Sequence, residues 1–217
     1  MKKIDTVIFD LDGTLLNTLD DLTDAVNYAM KECGYPERKK EEVRTFIGGG
    51  AKTLIYSSVP EQTSEQEKEY CKEIFLEYYV KHSNVKTDLY KGIRPLVHDL
   101  YKNGYKLGVV SSKGDRAVKD LIFNYFKEEI QIAIGETPGI LKKTAPDSIL
   151  KAMEELGGNR EHTIYIGDSE VDIETANNTG IPCIIVTWGF RDREDLEKLL
   201  PDYIVDRPEE IINILGY

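Results

Sequence analysis

This sequence lacks long apolar runs, an excess of positive charge and any CxxC motif. No run of about 18 apolar residues occurs, so no membrane-spanning segment is expected. The opening MKKIDTVIFD carries lysines, but its short apolar run ends in an acid, which is not typical of a signal peptide. The formal net charge of −11 disfavours binding to nucleic acid and to anionic membranes. We therefore expect a cytoplasmic protein that binds neither.

Cysteine is scarce as well. Cys33, Cys71 and Cys183 form no CxxC pair, and their odd number argues against a disulfide framework. We expect free thiols in a reducing compartment, buried or half-buried as is usual for unpaired cysteines. The histidines are dispersed too, so a histidine-rich metal site is not predicted.

What the chain does contain is a series of short, almost continuous apolar segments. These segments occupy residues 4–10, 106–112, 162–169, 182–189 and 202–206. Their length and their β-branched residues are typical of strands covered on both faces. Amphipathic helical patterns lie between them, at residues 116–126, 146–156 and 170–179. The alternation predicts an α/β fold with a doubly wound parallel sheet, a Rossmann-like core.

The region between the first two predicted strands breaks this alternation. It contains no convincing strand, and DLTDAVNYAMKECG, KKEEVRTFIGGG and SEQEKEYCKEIFLEYYVKH all have the apolar spacing of helices. We therefore predict a helical insertion over residues 16–85, with residues 1–15 and 86–217 forming the α/β core.

Polar residues stand where three of the predicted strands end. Asp10 and Asp12 follow the first, Ser111 ends the second, and Asp168 follows the third with Asp172 one helical turn later. Ligands of open parallel sheets bind outside the carboxyl ends of the strands. Asp10 and Asp12 alone could be turn residues. Three strand ends that deliver acids and a hydroxyl to one edge favour a functional site.

Four segments together resemble a known family. DLDGTLLNT, VVSSK, LKKTAPDS and IGDSEVD look like the four ordered motifs of the haloacid dehalogenase-like hydrolases. The resemblance spans the whole chain and includes a helical cap inserted after the first motif. FIGGGA in the cap and VTWGF near the end resemble the phosphoglycolate phosphatase-like branch. The resemblance implies a Mg²⁺-dependent phosphatase that acts on a small phosphorylated metabolite.

The first two motifs of the resemblance imply three roles. Asp10 would be the nucleophile that forms an aspartyl-phosphate, and it would also ligate Mg²⁺. Asp12 would be the general acid/base, and its backbone carbonyl would bind Mg²⁺. Ser111 would hydrogen-bond a phosphoryl oxygen, and Ser112 beside it is a further candidate for phosphate binding.

The last two motifs imply the groups that offset the negative charge. Lys143 would bridge the nucleophile and the phosphate, although Lys142 stands beside it and the family usually has Lys-Pro where this chain has Lys143-Thr144. Asp168 would ligate Mg²⁺, and Asp172 would support the metal's waters or Lys143. A carboxylate that attacks a phosphate monoester needs such cations, because both reactants are anions.

The cap residues and the exact reaction remain open at this stage. Gly49 and Gly50 are candidates for substrate binding through backbone N–H groups, although a flexible turn would have the same composition. We expect 2-phosphoglycolate as the substrate. The alternatives are a phosphomutase of the β-phosphoglucomutase type, an inorganic pyrophosphatase and a non-catalytic Mg²⁺/phosphate-binding regulator. A monomer and a homodimer both fit the sequence.

Overall fold

A computed structural model of the chain describes residues 3–216, and its centre is a six-stranded parallel sheet. The strand order is β5-β4-β1-β6-β7-β8. These strands are β1 (Thr6–Phe9), β4 (Lys106–Gly114), β5 (Ile132–Glu136), β6 (Thr163–Gly167), β7 (Cys183–Val186) and β8 (Tyr203–Val205). Two short strands, β2 (Leu16–Asn17) and β3 (Asp88–Leu89), pair separately. Neighbours in the main sheet are parallel, as predicted.

The helices that follow β2 are α1 (Leu19–Glu32), α2 (Lys40–Phe46), α3 (Gly50–Ser58) and α4 (Glu65–His82). The helices that cover the faces of the main sheet are α5 (Ile93–Lys102), α6 (Asp115–Phe126), α7 (Asp147–Glu155), α8 (Glu170–Thr179), α9 (Arg193–Lys198) and α10 (Pro208–Leu215). Val7 and Phe9 of β1 pack into one hydrophobic cluster, whereas Ile8 between them packs into the other. This alternation is why the strand is apolar at each position from Val7 to Phe9. The fold is therefore the doubly wound α/β type.

Strand β5 is an element that the sequence analysis missed. It lies at the edge of the sheet and pairs with β4 alone among the described strands, and three of its five residues are partly accessible. An edge strand needs no continuous apolar run, because one of its sides has no neighbouring strand. Its sequence, IAIGE, was too short and too mixed to stand out beside the central strands.

The chain divides into two compact units. The core unit comprises Met1–Leu16 and Leu89–Tyr217, and the helical unit comprises Asn17–Asp88 with α1 to α4. Among residues 3–216, no helix combines the length and the apolarity needed to cross a bilayer.

Within the helical unit, a buried carboxylate joins the two ends of the chain segment. The side chain of Asp21, near the start of α1, accepts hydrogen bonds from the backbone N–H groups of Val85, Lys86 and Thr87. It also accepts one from the Thr87 hydroxyl at 2.7 Å. The unit therefore closes on itself where the chain enters and where it leaves.

The expectation of three free thiols is wrong. Cys33, just after α1, and Cys71 in α4 form a disulfide across two neighbouring helices, while Cys183 is free and buried. The two cysteines are 38 residues apart in sequence, and their proximity arises from packing of α1 against α4. Sequence spacing alone does not contain that information.

Candidate active site

Three carboxylates meet beyond the carboxyl ends of the central strands. Asp10 follows β1, Asp168 follows β6, and Asp172 lies in the first turn of α8. One oxygen from each lies within 4.8 Å of the others, and all three residues are buried. Strands β1 and β6 are adjacent and parallel, with Phe9 opposite Ile166, so the residues that follow the two strands lie at the same edge of the sheet.

Lys143 lies between two of these acids. Its Nζ is 2.8 Å from Asp10 Oδ1 and 2.9 Å from Asp172 Oδ1, and its side chain is almost fully buried. Lys142, the rival in sequence, instead pairs with Glu136 and is half-exposed. The structure therefore brings Lys143, not Lys142, to the acids.

Asp172 accepts hydrogen bonds through both of its oxygens. Oδ2 accepts from the backbone N–H groups of Asp168 and Ser169, and from the Ser169 hydroxyl at 2.7 Å. Oδ1 accepts from Lys143 Nζ and from the Tyr165 hydroxyl at 3.0 Å. Because of these bonds, the position of Asp172 is fixed by β6, by the start of α8 and by Lys143 together.

The carboxylate of Asp168 is enclosed by backbone. Its Oδ2 accepts a hydrogen bond of 2.7 Å from the N–H of Phe190, in the loop that follows β7. A methyl group at Gly13 or at Gly189 would lie only 2.3 Å from this same oxygen. Gly13 also has a φ of +85°, which other residues rarely adopt. The two glycines therefore provide the space that Asp168 occupies.

The loop after β7 also contacts the first motif. The indole N–H of Trp188 donates a hydrogen bond of 3.0 Å to the carbonyl oxygen of Thr14. Trp188 also packs against the core cluster as a partly buried side chain. The VTWGF segment therefore positions both Thr14 and Asp168.

The acids of this cluster differ in their affinity for protons. Burial raises the pKa of Asp10 from 3.8 to about 7, against the opposing effect of Lys143. Burial, with Asp172 and Asp10 nearby, raises the pKa of Asp168 well above its ordinary value. Burial also acts on Asp172, but Lys143 and the hydrogen bond from Ser169 outweigh it and lower its pKa. Lys143 alone does not balance the negative charge of this cluster.

Asp12 has a lysine partner that the sequence analysis did not identify. Lys113 Nζ lies 2.9 Å from Asp12 Oδ1, and both side chains are largely buried. Lys113 follows Ser111 by two residues in β4, so in an extended strand the two share a face. That period-two spacing in VVSSK was the signal available for finding it.

The remaining predicted residues lie in two places. Ser111, Ser112 and Lys143 line one small cavity of about 20 Å³ in the core unit. Gly49 and Gly50 belong to the helical unit, at the start of α3. Their contact with a substrate stays a prediction.

Comparison with known proteins agrees with this arrangement. A sequence model of the family described as "Haloacid dehalogenase-like hydrolase" matches residues 7–186. The chain belongs to the haloacid dehalogenase-like hydrolases. It is 31% identical over 211 residues to a phosphoglycolate phosphatase of Aquifex aeolicus, covering 96% of this chain and 95% of the relative. It is 28% identical over 219 residues to the pyrophosphatase PpaX of Bacillus mycoides, covering 99% of this chain and 98% of the relative.

Solved structures of haloacid dehalogenase-like hydrolases have the same fold. A family member from Streptococcus pneumoniae superposes with a TM-score of 0.89 at 27% identity, covering 100% of both chains. A candidate phosphoglycolate phosphatase from Lactobacillus delbrueckii subsp. bulgaricus superposes with a TM-score of 0.94 at 35% identity, covering 99% of this chain and 100% of that one. The resemblance seen in the motifs is thus confirmed.

The acidic cluster of this haloacid dehalogenase-like hydrolase fits a hard divalent cation. Asp10, Asp168 and Asp172 present carboxylate oxygens, the ligand type that Mg²⁺ prefers. The Asp168 carboxylate accepts hydrogen bonds from the Phe190 N–H and, at 3.5 Å, from the Thr14 hydroxyl, whereas Lys143 bonds Asp10 and Asp172. Burial and the neighbouring acids raise the pKa of Asp168 well above its ordinary value, although Arg191 acts to lower it. A bound cation would offset the cost of burying this charge.

Proposed function

We propose that the chain is a Mg²⁺-dependent phosphatase that hydrolyses a small phosphorylated metabolite through an aspartyl-phosphate on Asp10. One observation carries the proposal: Lys143 joins Asp10 to a buried acidic cluster at the carboxyl ends of adjacent strands. The cluster offers a nucleophile, a cation-binding set and a lysine within one small volume. Phosphoryl transfer requires little more than such positioning and charge stabilisation.

The first step forms a covalent intermediate. A carboxylate oxygen of Asp10 attacks phosphorus, and the bond between phosphorus and the leaving oxygen breaks. Asp12 gives its proton to that leaving oxygen. Lys143, 2.8 Å from Asp10, stabilises the negative phosphoryl oxygens beside the nucleophile, and the Ser111 hydroxyl donates a hydrogen bond to another.

The second step restores the enzyme. Asp12 removes a proton from a water molecule, which attacks phosphorus and releases Asp10 and inorganic phosphate. Asp168 and the Asp12 carbonyl, with Asp10, would hold Mg²⁺, and Asp172 supports the site through Lys143. When bound, Mg²⁺ supplies Lewis-acid charge stabilisation to the transferring phosphoryl group.

For the substrate, we propose 2-phosphoglycolate, which the Aquifex aeolicus relative supports by its name. Inorganic pyrophosphate is the second candidate, because the PpaX relative matches at similar identity over nearly the whole chain. The net charge of −11 favours a small anion bound through local cations over nucleic acid or a membrane. We propose that the helical unit is a cap that selects among such anions, with Gly49 and Gly50 at its substrate-binding loop.

A hydrolysis assay tests the proposal. The full chain is incubated with Mg²⁺ and a panel containing 2-phosphoglycolate, pyrophosphate, hexose phosphates and p-nitrophenyl phosphate, and released phosphate is measured. We expect turnover that Asp10→Asn abolishes and that a chelator abolishes reversibly. Asp120→Asn is the matched control, because this side chain is 70% exposed on α6.

The outcomes separate the alternatives. Full turnover in Asp10→Asn would contradict the nucleophile, and activity that survives chelation would contradict the metal. A phosphomutase would return an isomeric sugar phosphate without free phosphate. A chain that binds phosphate but turns over none of the panel would support the regulator.

A further inference from the structure

Tyr165 is a buried polar residue of the core unit that the proposed mechanism does not use. It lies in the middle of β6, its side chain is fully buried, and its ring packs in the hydrophobic cluster on one face of the sheet. A hydroxyl in such surroundings costs stability unless it has a hydrogen-bond partner. The nearer partner is Asp172, whose Oδ1 accepts from the Tyr165 hydroxyl at 3.0 Å, and the carbonyl oxygen of Val110 is a second, longer acceptor at 3.4 Å.

Tyr165 approaches Lys143 in two ways. Its hydroxyl binds the same Asp172 oxygen that accepts from Lys143 Nζ at 2.9 Å. The Lys143 ammonium also lies 5.3 Å from the centre of the Tyr165 ring, within the range of a cation–π contact. The position of the ammonium is therefore defined by two carboxylates and one aromatic ring.

We propose that Tyr165 is a positioning residue, which sets how Lys143 divides its hydrogen bonding between Asp172 and Asp10. An oxygen that already accepts from a hydroxyl attracts a second donor less strongly. With the Tyr165 hydroxyl in place, the ammonium is available to Asp10 and to the phosphate beside it. Without that hydroxyl, Asp172 Oδ1 accepts from Lys143 as its remaining side-chain donor and attracts the ammonium group away from Asp10. This inference rests on the proposed role of Lys143 in phosphate binding.

The test is Tyr165→Phe, which removes the hydroxyl and keeps the ring. We compare kcat and KM for p-nitrophenyl phosphate, the inhibition constant for inorganic phosphate, and the Mg²⁺ concentration at half-maximal rate. We expect kcat to fall about tenfold and phosphate inhibition to weaken severalfold, since both depend on the lysine. The Mg²⁺ half-saturation should change less than kcat does, because the Tyr165 hydroxyl bonds Asp172 and Val110 rather than Asp10 or Asp168, the carboxylates proposed to hold the ion.

Tyr105→Phe is the matched control, because Tyr105 is also buried in the core unit but lies at the other end of the sheet, before β4. It should leave every one of these constants within about twofold of wild type. The inference is overturned if Tyr165→Phe has no effect, or if it changes the Mg²⁺ half-saturation as strongly as kcat. A melting temperature more than about 10 °C below that of Tyr105→Phe also overturns it, because the hydroxyl would then be structural.

The two proposals fail in different ways. If wild type hydrolyses no phosphate ester in the panel, the proposed function fails. If wild type is active and Tyr165→Phe matches it in kcat and in phosphate inhibition, only the inference about Tyr165 fails.

Discussion

The space beside Asp168 provides a quantitative test of the metal site. In Gly189→Ala, the added methyl group would lie 2.3 Å from Asp168 Oδ2 and 2.5 Å from the carbonyl oxygen of Gly13. Ordinary van der Waals contact begins near 3.4 Å, so a shift of about 1 Å is required. The Gly13 oxygen is backbone, and the added methyl group would also lie 2.4 Å from Asp168 Cβ, so rotation of the carboxylate alone cannot relieve the contact and Asp168 must shift as a whole. Metal–ligand distances tolerate only about 0.2 Å.

We therefore expect Gly189→Ala to raise the Mg²⁺ concentration at half-maximal rate at least tenfold, the order found when metal-site geometry is disturbed. Unfolding free energy should fall by about 1–3 kcal/mol from overpacking. The assay is p-nitrophenyl phosphate hydrolysis across a Mg²⁺ titration. Gly114→Ala is the control, because its φ is −54° and its added methyl would meet no atom within 4 Å. Equal Mg²⁺ dependence in the two variants would refute the reasoning.

The other predictions concern single side chains. Lys113→Met should lower kcat about 10- to 100-fold, because Asp12 loses the ammonium group 2.9 Å away. Lys113→Arg should restore activity in the same assay, and full activity in Lys113→Met would contradict the prediction. Asp21→Ala should lower the free energy of unfolding by about 2–4 kcal/mol in a urea titration, because the groups that bond Asp21 lose their acceptor. Asp20→Ala, at a half-exposed side chain, should lower it by less than about 1 kcal/mol, and equal losses would contradict the prediction. Without metal, the pKa of Asp10 is about 7 in the folded protein and 3.8 ordinarily. Protonated Asp10 therefore contributes to the free energy of unfolding, in full below about pH 4, and this contribution is lost as the pH rises towards 7. The loss is at most about 4 kcal/mol, and urea midpoints at several pH values in chelator should show no such contribution in Asp10→Asn.

The central strands and the acids that follow them could be predicted from sequence for one physical reason. A strand covered on both faces must be apolar at every position, so its end is marked by the first polar residue. That is why Asp10 and Asp168 stood out, and why the parallel order placed them together. The same reasoning could not find β5, whose edge position relaxes the apolar requirement.

Partners of charged side chains were harder to predict. Lys143 could be placed because a motif marks it, whereas Lys113 reaches Asp12 through the pairing of β4 with β1, which follows from the assembled sheet. The Cys33–Cys71 disulfide depends in the same way on the packing of two helices. Period-two spacing places Lys113 on the same face as Ser111, but which acid it meets, and which helix a cysteine faces, are properties of the tertiary structure.

The Lys113–Asp12 pair has a consequence for the ion that the site can accept. Asp10 and Asp12 each have a lysine within 2.9 Å, so those two acids are matched in formal charge. Four acids, Asp10, Asp12, Asp168 and Asp172, share two lysines, which leaves two formal negative charges, the charge that one divalent cation balances. In the metal site proposed above, a monovalent ion would leave this group of side chains anionic, which opposes the binding of a phosphate ester. The second lysine would thus help to match the pocket to a divalent ion.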